Sequence, residues 1–401
     1  MIPAAVSPIR PMLPASSPGW FSPSRLATAT SADRPISSSR SGGGTAECSR
    51  CREPSPHPRP IMTILVGQFL LLAAVVAVAG SLLARSADAI ADATGLGRLL
   101  IGSLLLAAVT SLPELSVDIA AVRAGLTDLA AGDLFGSSLM NLLILAGVDL
   151  TIRSGRRMLS REAASHALSA TLGIALTSLA GLAVLTADKL PAVSLLGISG
   201  WSWAILLAYL LGARMIFIDQ RISVRLAAEA RAKSPAEEPP HPPGGPLWRS
   251  AVFFAAAAAV LVFTGPRLAH VAGELATETG LGGTFVGTTL VAVSTSLPEL
   301  VASLTAVRLG AVDLAIGNTL GSNAFNMVLF APLDAFHDGP LFAAVSASHA
   351  VTAFAVVIAT AIAILGQLYH AERRLPLVEP DAFLMLLVLF GGLLLVYYLP
   401  S

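Results

Sequence analysis

Charged residues are scarce in this chain of 401 residues: Asp, Glu, Lys and Arg together make up 12%, against about 25% in an average globular domain. Hydrophobic residues make up 54%, and apolar stretches of about 20 residues, long enough to cross a bilayer, recur along the chain. No basic block of the kind that binds nucleic acid is present. The composition excludes a soluble protein and predicts an all-α bundle in lipid, where each helix satisfies its own backbone groups.

Cysteine is nearly absent as well. Cys48 and Cys51 precede the apolar region, and with only His57 nearby they lack the four ligands of a structural zinc site. Residues 1–61 are rich in Pro, Ser, Arg and Gly and contain no short apolar core of a signal peptide. We therefore expect a disordered N-terminal tail, or a mis-assigned start ahead of Met62.

Ten hydrophobic segments predict ten transmembrane helices. They lie at about 62–84, 97–122, 127–150, 164–186, 190–217, 249–268, 283–307, 312–333, 344–366 and 382–399. One sizeable hydrophilic loop, 218–248, separates a first half, 62–217, from a second half, 249–401, with five spans each. If the first span runs inwards, about 15 Lys and Arg residues fall inside and about 3 outside. This bias predicts a cell (inner) membrane protein with a cytoplasmic loop and both ends of the membrane domain outside.

The two halves share an internal repeat. Residues 95–149 align with 280–334 at an offset of 185 without a gap, and about 25 of 55 positions are identical. Each copy contains T-S-L-P-E, followed by G-x-x-x-G-S-x-x-x-N. Between the two motifs each copy has an aspartate, Asp128 or Asp313, which is predicted to cap the helix that follows it. Because the offset spans five segments, an odd number, the second copy is predicted to enter the membrane from the opposite side. Such inverted repeats place their binding sites near the bilayer midplane, on interrupted helices.

The two glutamates of the repeats, Glu114 and Glu299, are predicted to lie near the middle of their spans. A charge at that depth costs several kcal/mol and needs a partner. A protonated, hydrogen-bonded glutamate is the alternative, but two at equivalent positions favour a functional site. Pro113 and Pro298 each free a carbonyl one turn earlier, which also needs a ligand.

Oxygen atoms dominate both motifs. Helical spacing predicts that Thr110 shares a face with Glu114, and Ser137 with Asn141, with the same relation in the second copy. The flanking glycines would allow close helix approach. Hard oxygen donors suit Ca²⁺, which takes about six to eight of them. Neither motif contains Cys or His, which argues against zinc, copper or iron.

The paired motifs resemble the two alpha repeats of the sodium/calcium exchanger (cation/calcium antiporter) family, and the resemblance covers most of residues 62–399. It implies two inverted five-helix halves that exchange Ca²⁺ for Na⁺, with no cofactor. The ion ligands that it implies are Thr110, Ser111, Glu114, Ser137, Asn141, Thr295, Ser296, Glu299, Ser322 and Asn326. Backbone help would come from Ala107 and Ala292. Inorganic cations and the lipid bilayer are the predicted partners.

The first copy departs from the family pattern. It has Asp133 where the second copy has Asn318, and Asp118 one turn beyond Glu114 where the second copy has Ser303. A helix cap or a place at the mouth of the pathway is an equal alternative to an ion role for Asp133. If either acid titrates inside the membrane, protons could replace Na⁺ as the driving ion, so a cation/proton antiporter on the same scaffold remains an alternative. A hydrolase would need a His or Lys base beside the serines, and neither motif has one.

Overall fold

The computed structural model describes residues 59–151, 166–190, 193–232, 246–278, 292–368 and 380–398. These residues are almost entirely helical. The helices are α1 (Arg59–Thr94), α2 (98–110), α3 (Leu112–Arg123), α4 (Thr127–Thr151), α5 (Ala167–Thr186), α6 (Gly200–Ala232), α7 (Leu247–Glu278), α8 (Leu297–Arg308), α9 (Val312–Phe336), α10 (His349–Leu368) and α11 (Pro380–Tyr398). A helical turn at 292–295 precedes α8, a 3₁₀ turn spans Leu341–Ala343, and β1 (Ser194–Leu195) pairs antiparallel with β2 (Ile198–Ser199).

Seven helices in the described part of the chain are long and apolar enough to cross a membrane. They cover Met62–Thr94, Arg98–Arg123 (α2 and α3 taken together as one span), Thr127–Val148, Ala167–Thr186, Gly200–Ser223, Leu247–Leu275 and His349–Gly366. The other three predicted spans are not among these seven helices, each for a different reason. Residues 279–291 lie outside the described residues, α9 is rich in buried Asn and Ser, and the apolar part of α11 covers only Phe383–Gly392. The chain is thus a polytopic membrane protein, and the ten-span count stays a prediction.

Three predicted boundaries were wrong. The first helix runs from Arg59 to Thr94, well beyond the predicted end at residue 84. The predicted fifth span starts at Gly200 rather than 190, because residues 194–199 form the β1–β2 hairpin, which turns at Leu196 and Gly197 with positive φ. The predicted loop 218–248 begins as helix, since α6 continues to Ala232. Residues 1–58, including both cysteines, lie outside the described residues.

The internal repeat reappears in the helix boundaries. α3 and α8 begin and end at residues 185 apart, and so do α4 and α9. The long helices α1 and α7 also correspond, because Gly80 and Gly265 are 185 apart and each lies against the proline-bearing helix of the other copy. A Cβ on Gly80 would lie 3.2 Å from Val301 Cγ1, and one on Gly265 would collide with Pro113. This pair lies outside the aligned residues 95–149 and 280–334.

Helix α9 lies at the centre of the molecule and contacts α2, α4, α5 and α8. Glycines on both helices allow the backbones of α9 and α2 to come close: a Cβ on Gly317 of α9 would lie 2.8 Å from Leu99 O, and one on Gly102 of α2 would lie 2.6 Å from Leu314 O. In this region α2 is a π-helix, Ile101–Leu106, a geometry found mostly as short bulges at functional sites. The close helix approach predicted for the glycines of the G-x-x-x-G motif therefore holds for Gly317 and Gly321 of the second copy, whereas Gly136 of the first copy has nothing within 4 Å of a Cβ.

Asp128 and Asp313 were predicted to cap α4 and α9, and this prediction was wrong. Asp313 lies inside the first turn of α9, whose N-cap is Ala311. Each aspartate instead contacts a histidine at the start of another helix: His166 Nε2 lies 3.0 Å from Asp313 Oδ1, and His349 Nε2 lies 3.3 Å from Asp128 Oδ1. A carboxylate in the first turn is still favoured by the free backbone N–H groups there.

Asp334, near the end of α9, is fully buried and holds the hairpin and the following loop in place. Its carboxylate accepts hydrogen bonds from Ser199 N at 2.6 Å, Ser202 Oγ at 2.7 Å and Leu341 N at 2.8 Å. Because a carboxylate accepts without donating, it satisfies three donors that an amide would satisfy less completely.

We expect Asp334→Asn to lower the thermal unfolding temperature, because one buried donor loses its acceptor, at a cost of about 1–3 kcal/mol. Thermal unfolding of the purified protein in detergent measures this. The matched control is Asp338→Asn at an exposed position four residues later, which we expect to leave stability unchanged. Equal stability of the two variants would contradict the role of Asp334.

Candidate ion-binding site

Both copies break their helix at the serine of the T-S-L-P-E motif. Ser111 has φ −87° and ψ 5°, and Ser296 has φ −81° and ψ 3°. A new helix begins at the next residue, with proline in its first turn, where the missing N–H costs nothing. Each glutamate therefore lies in the first turn of a helix, close to unpaired backbone N–H groups. Thr110 and Glu114 were predicted to share one face of a continuous helix, but the break places them on two successive helices.

Side chains of one copy contact side chains of the other. The Thr110 hydroxyl lies 3.4 Å from Asn318 Oδ1 and 3.5 Å from Ser322 Oγ. At the positions 185 residues away from Thr110 and Asn318, the Thr295 hydroxyl donates to Asp133 Oδ1 at 3.3 Å. Ser137, the counterpart of Ser322, instead accepts from Ser296 Oγ at 3.3 Å. These contacts are at the long end of the hydrogen-bond range. The repeated pattern brings the two motifs together around one centre.

The glutamates belong to the same cluster. Ser111 Oγ donates to Glu299 Oε1 at 3.4 Å, and Glu114 interacts electrostatically with Glu299. All ten predicted ligands are at most 2% exposed. Eight of them take part in contacts within the cluster or next to it, whereas Glu114 Oε2 and Asn326 Oδ1 are buried without a hydrogen-bond partner in the described part of the chain.

Further polar residues in the cluster were not among the predicted ligands. Asn318 contacts Thr110, and Asn323 Oδ1 accepts from Asn141 Nδ2 at 3.0 Å. The signal for both was in the repeat, because they occupy the positions of Asp133 and Ser138 in the second copy. For Asp133 the sequence allows a helix cap or a place at the mouth of the pathway as well as an ion role. The structure places it 7% exposed, in contact with Thr295.

Acceptor atoms exceed donors in this cluster. Among the described residues, Glu114 Oε2, Glu299 Oε2, Asn141 Oδ1, Asn326 Oδ1, Asp133 Oδ2 and both oxygens of Asp118 are buried without a donor, against the single unpaired donor Asn323 Nδ2. Each such buried atom costs about 1–3 kcal/mol if nothing binds it. A cation would satisfy several of these oxygens at once.

The oxygens of the cluster come mostly from hydroxyl and amide groups. Within the described ranges, no three His, Cys, Asp or Glu side chains form a metal-binding group by themselves. A cavity of about 670 Å³ lies elsewhere, between the hairpin, the end of α5 and the end of α9, and contains none of the predicted ligands. The cluster is therefore an enclosed oxygen-lined centre rather than an open pocket or a thiolate or imidazole metal centre.

Membrane-length helices surrounding a buried, oxygen-lined, acidic centre define a polytopic membrane protein of the ion-transporter class. The sequence pattern of the family described as "Sodium/calcium exchanger protein" matches residues 64–218 and 249–401. The chain belongs to the sodium/calcium exchanger family. Members of this class are transporters rather than enzymes.

Related proteins agree with this assignment. CaxA of Alkalimonas amylolytica, which is named as an antiporter, is 29% identical over 60% of this chain and 71% of its own length. The inner membrane protein YrbG of Escherichia coli is 29% identical over 66% of this chain and 80% of its own. A structure of the sodium–calcium exchanger NCX_Mj superposes with a TM-score of 0.60 at 19% identity, covering 83% of this chain and 99% of that one. At that identity the superposition shows a shared fold.

Proposed function

We propose that this chain is a secondary antiporter that exchanges Ca²⁺, or a similar divalent cation, for Na⁺ by alternating access. The observation that carries the proposal is the meeting of Glu114 and Glu299, one from each copy, in a buried cluster with more acceptor oxygens than donors. Ca²⁺ takes about six to eight oxygens and accepts carboxylate, amide and carbonyl ligands. The cluster offers these groups and lacks the Cys and His ligands of the softer metals.

The proposed ligands are the ten residues predicted from the motifs. They are Thr110, Ser111, Glu114, Ser137, Asn141, Thr295, Ser296, Glu299, Ser322 and Asn326. The carbonyls of Ala107 and Ala292 each accept a backbone hydrogen bond from the serine at the helix break. Each carbonyl also accepts the hydroxyl of the threonine beside that serine, at 3.3 Å from Thr110 and at 3.0 Å from Thr295. An ion bound at either carbonyl would therefore replace one of these two donors.

Repulsion between the carboxylates accounts for obligatory exchange. Two carboxylates about 5 Å apart repel by about 3 kcal/mol at an effective dielectric of about 20, so the empty site resists enclosure. One Ca²⁺, or two or more Na⁺ ions, would neutralise the pair, and both loads would compete for the same oxygens. The binding site would then switch its exposure from one side of the membrane to the other only when an ion is bound, which couples the two fluxes.

Contacts at the helix ends support inverted halves. His166, at the start of α5, meets Asp313 at the start of α9, and His349, at the start of α10, meets Asp128 at the start of α4. If α4 and α5 are consecutive antiparallel spans, then α4 starts on one side of the membrane and α9 starts on the other. The two equivalent helices therefore run in opposite directions, which agrees with two inverted five-helix halves.

The orientation that we propose follows the distribution of Lys and Arg. The segment between α6 and α7 would be cytoplasmic, and both ends of the membrane domain would face outward, in the cell (inner) membrane. In this orientation Arg123 at the end of α3 and Phe336 at the end of α9 both lie at the outer face. Their 4.5 Å cation–π contact agrees with that arrangement.

Flux of radioactive Ca²⁺ into proteoliposomes tests the function. We expect Ca²⁺ uptake when Na⁺ is loaded inside and absent outside, and none with a pH gradient alone. Uptake driven by the pH gradient without Na⁺ would show a cation/proton antiporter and contradict the proposal. Uncoupled conductance, linear in voltage, would contradict alternating access.

A further inference from the structure

Beside the proposed ligands, one pair of equivalent positions is acidic in the first copy and neutral in the second. In the second copy, Ser303 of α8 and Asn318 of α9 form a neutral pair, in which Asn318 Nδ2 donates to Ser303 Oγ at 3.2 Å. The equivalent residues of the first copy, 185 positions earlier, are Asp118 of α3 and Asp133 of α4. A satisfied amide–hydroxyl pair is thus replaced by two acids.

These two acids are enclosed and close together. Asp118 is 1% exposed, and neither of its oxygens has a donor among the described residues. The Asp118 and Asp133 carboxyl groups lie near enough to each other for a hydrogen bond if one were protonated, and both interact electrostatically with Glu114. Asp133 accepts one hydrogen bond, from Thr295, and its Oδ2 has no partner in the described part of the chain.

In the described part of the chain, no positively charged side chain is paired with these two acids. None of the ion pairs found among the described residues includes Asp118 or Asp133. Removing one partner of a buried charge pair, and so leaving a buried charge uncompensated, costs about 3–5 kcal/mol. Two adjacent carboxylates without a compensating group therefore call for a bound cation or a shared proton, and the unpartnered oxygens of Asp118 are available to hold either.

We propose that Asp118 and Asp133 form a second cation-binding pair, beside the Glu114–Glu299 centre and present in the first copy alone, which takes Na⁺. With Thr295 Oγ1 the pair offers about five protein oxygens, fewer than the six to eight that Ca²⁺ takes. The pair lies one turn beyond Glu114 and one turn before Ser137, towards the end of the molecule that carries Arg123. The inference rests on the proposed function, since Thr295 serves both centres.

The neutral pair of the second copy provides the replacement residues for a test of the first-copy pair. Asp118→Ser combined with Asp133→Asn reproduces in the first copy the pair that the second copy holds at the same place. We expect this double variant to bind about one fewer Na⁺ ion per chain, because its carboxylates are removed. The measurement is binding of radioactive Na⁺ to the purified full-length protein in detergent without Ca²⁺, and the Na⁺ dependence of Ca²⁺ flux should become correspondingly less steep.

Two further variants make the result decisive. Ser303→Ala alters the neutral counterpart and should leave the Na⁺ count unchanged, and Asp118→Asn alone provides the same test if the double variant does not fold. An unchanged Na⁺ count in both Asp118 variants overturns the inference, and a proton shared between the two acids would give this outcome. Failure of the proposed function is a separate result, namely Ca²⁺ exchange that survives loss of Glu114 and Glu299.

Discussion

Glu114→Gln and Glu299→Gln should each reduce Na⁺-driven Ca²⁺ flux to below about 1% of the unaltered protein. Glutamine keeps the size of the side chain and one acceptor oxygen but removes the charge. A charge–charge interaction at about 3 Å contributes several kcal/mol per unit charge at an effective dielectric of about 20, and each 1.4 kcal/mol changes binding about tenfold. The flux of radioactive Ca²⁺ into proteoliposomes measures the loss.

Thermal unfolding separates this effect from misfolding. Without ions, each glutamine variant should be at least as stable as the unaltered protein, because the repulsion between the two buried carboxylates is removed. With Ca²⁺ added, the unaltered protein should gain stability, since a ligand that binds the native state stabilises it, and the variants should gain little. Glu229→Gln, at an exposed position on α6, is the control and should retain both flux and the Ca²⁺ response. A glutamine variant with normal flux would exclude the glutamates as ligands.

The sequence predicted the centre of the fold better than its edges. A repeat with identical T-S-L-P-E motifs predicted that two glutamates would meet, because an inverted repeat places equivalent residues around one axis. The structure has Glu114 and Glu299 in one buried cluster. The contacts across the copies, such as Thr110 with Ser322, could not be predicted, because they depend on how α2 and α9 pack rather than on the spacing within either motif.

Two errors have a common physical origin. Hydropathy treats residues 190–217 as one apolar span, but Leu196 and Gly197 form a tight turn, so the helix starts only at Gly200. Likewise, regular 3.6-residue spacing placed Thr110 and Glu114 on one face, whereas proline in the first turn of α3 lets the helix restart after Ser111. In both places local backbone geometry changes what the composition of the segment predicts.

Asp128 and Asp313 show why contacts between distant parts of the chain could not be predicted from the sequence. An aspartate just before an apolar helix is typical of an N-cap, and nothing near it in sequence indicates another role. In the fold, each aspartate contacts a histidine that begins a helix of the other half. The equivalent positions of the two aspartates were visible in the repeat, but the histidines lie outside the aligned residues.

Gly321→Ala should impair both stability and exchange, because a Cβ at this position would collide with the backbone of Ser103. Backbone atoms cannot move aside as a flexible side chain can, so α2 and α9 would have to separate. Overpacking of this kind costs about 1–3 kcal/mol. Since Ser103 belongs to the π-helical part of α2, its displacement would carry Thr110 and Ser111 away from Ser322 and Glu299. Thermal unfolding and Ca²⁺ flux of the same preparation measure the two effects.

Gly67→Ala provides the matched control, because Gly67 lies on the exposed face of α1 with nothing within 4 Å of a Cβ. Alanine is favoured over glycine in a helix interior by about 1 kcal/mol, so this variant should be as stable as the unaltered protein or more so.

Gly317→Ala, whose Cβ would lie 2.8 Å from Leu99 O, should behave like Gly321→Ala with a smaller effect. If Gly321→Ala lost stability but kept full flux at a temperature where it is folded, the close contact of α2 with α9 would support the fold without positioning the oxygens that bind the ion.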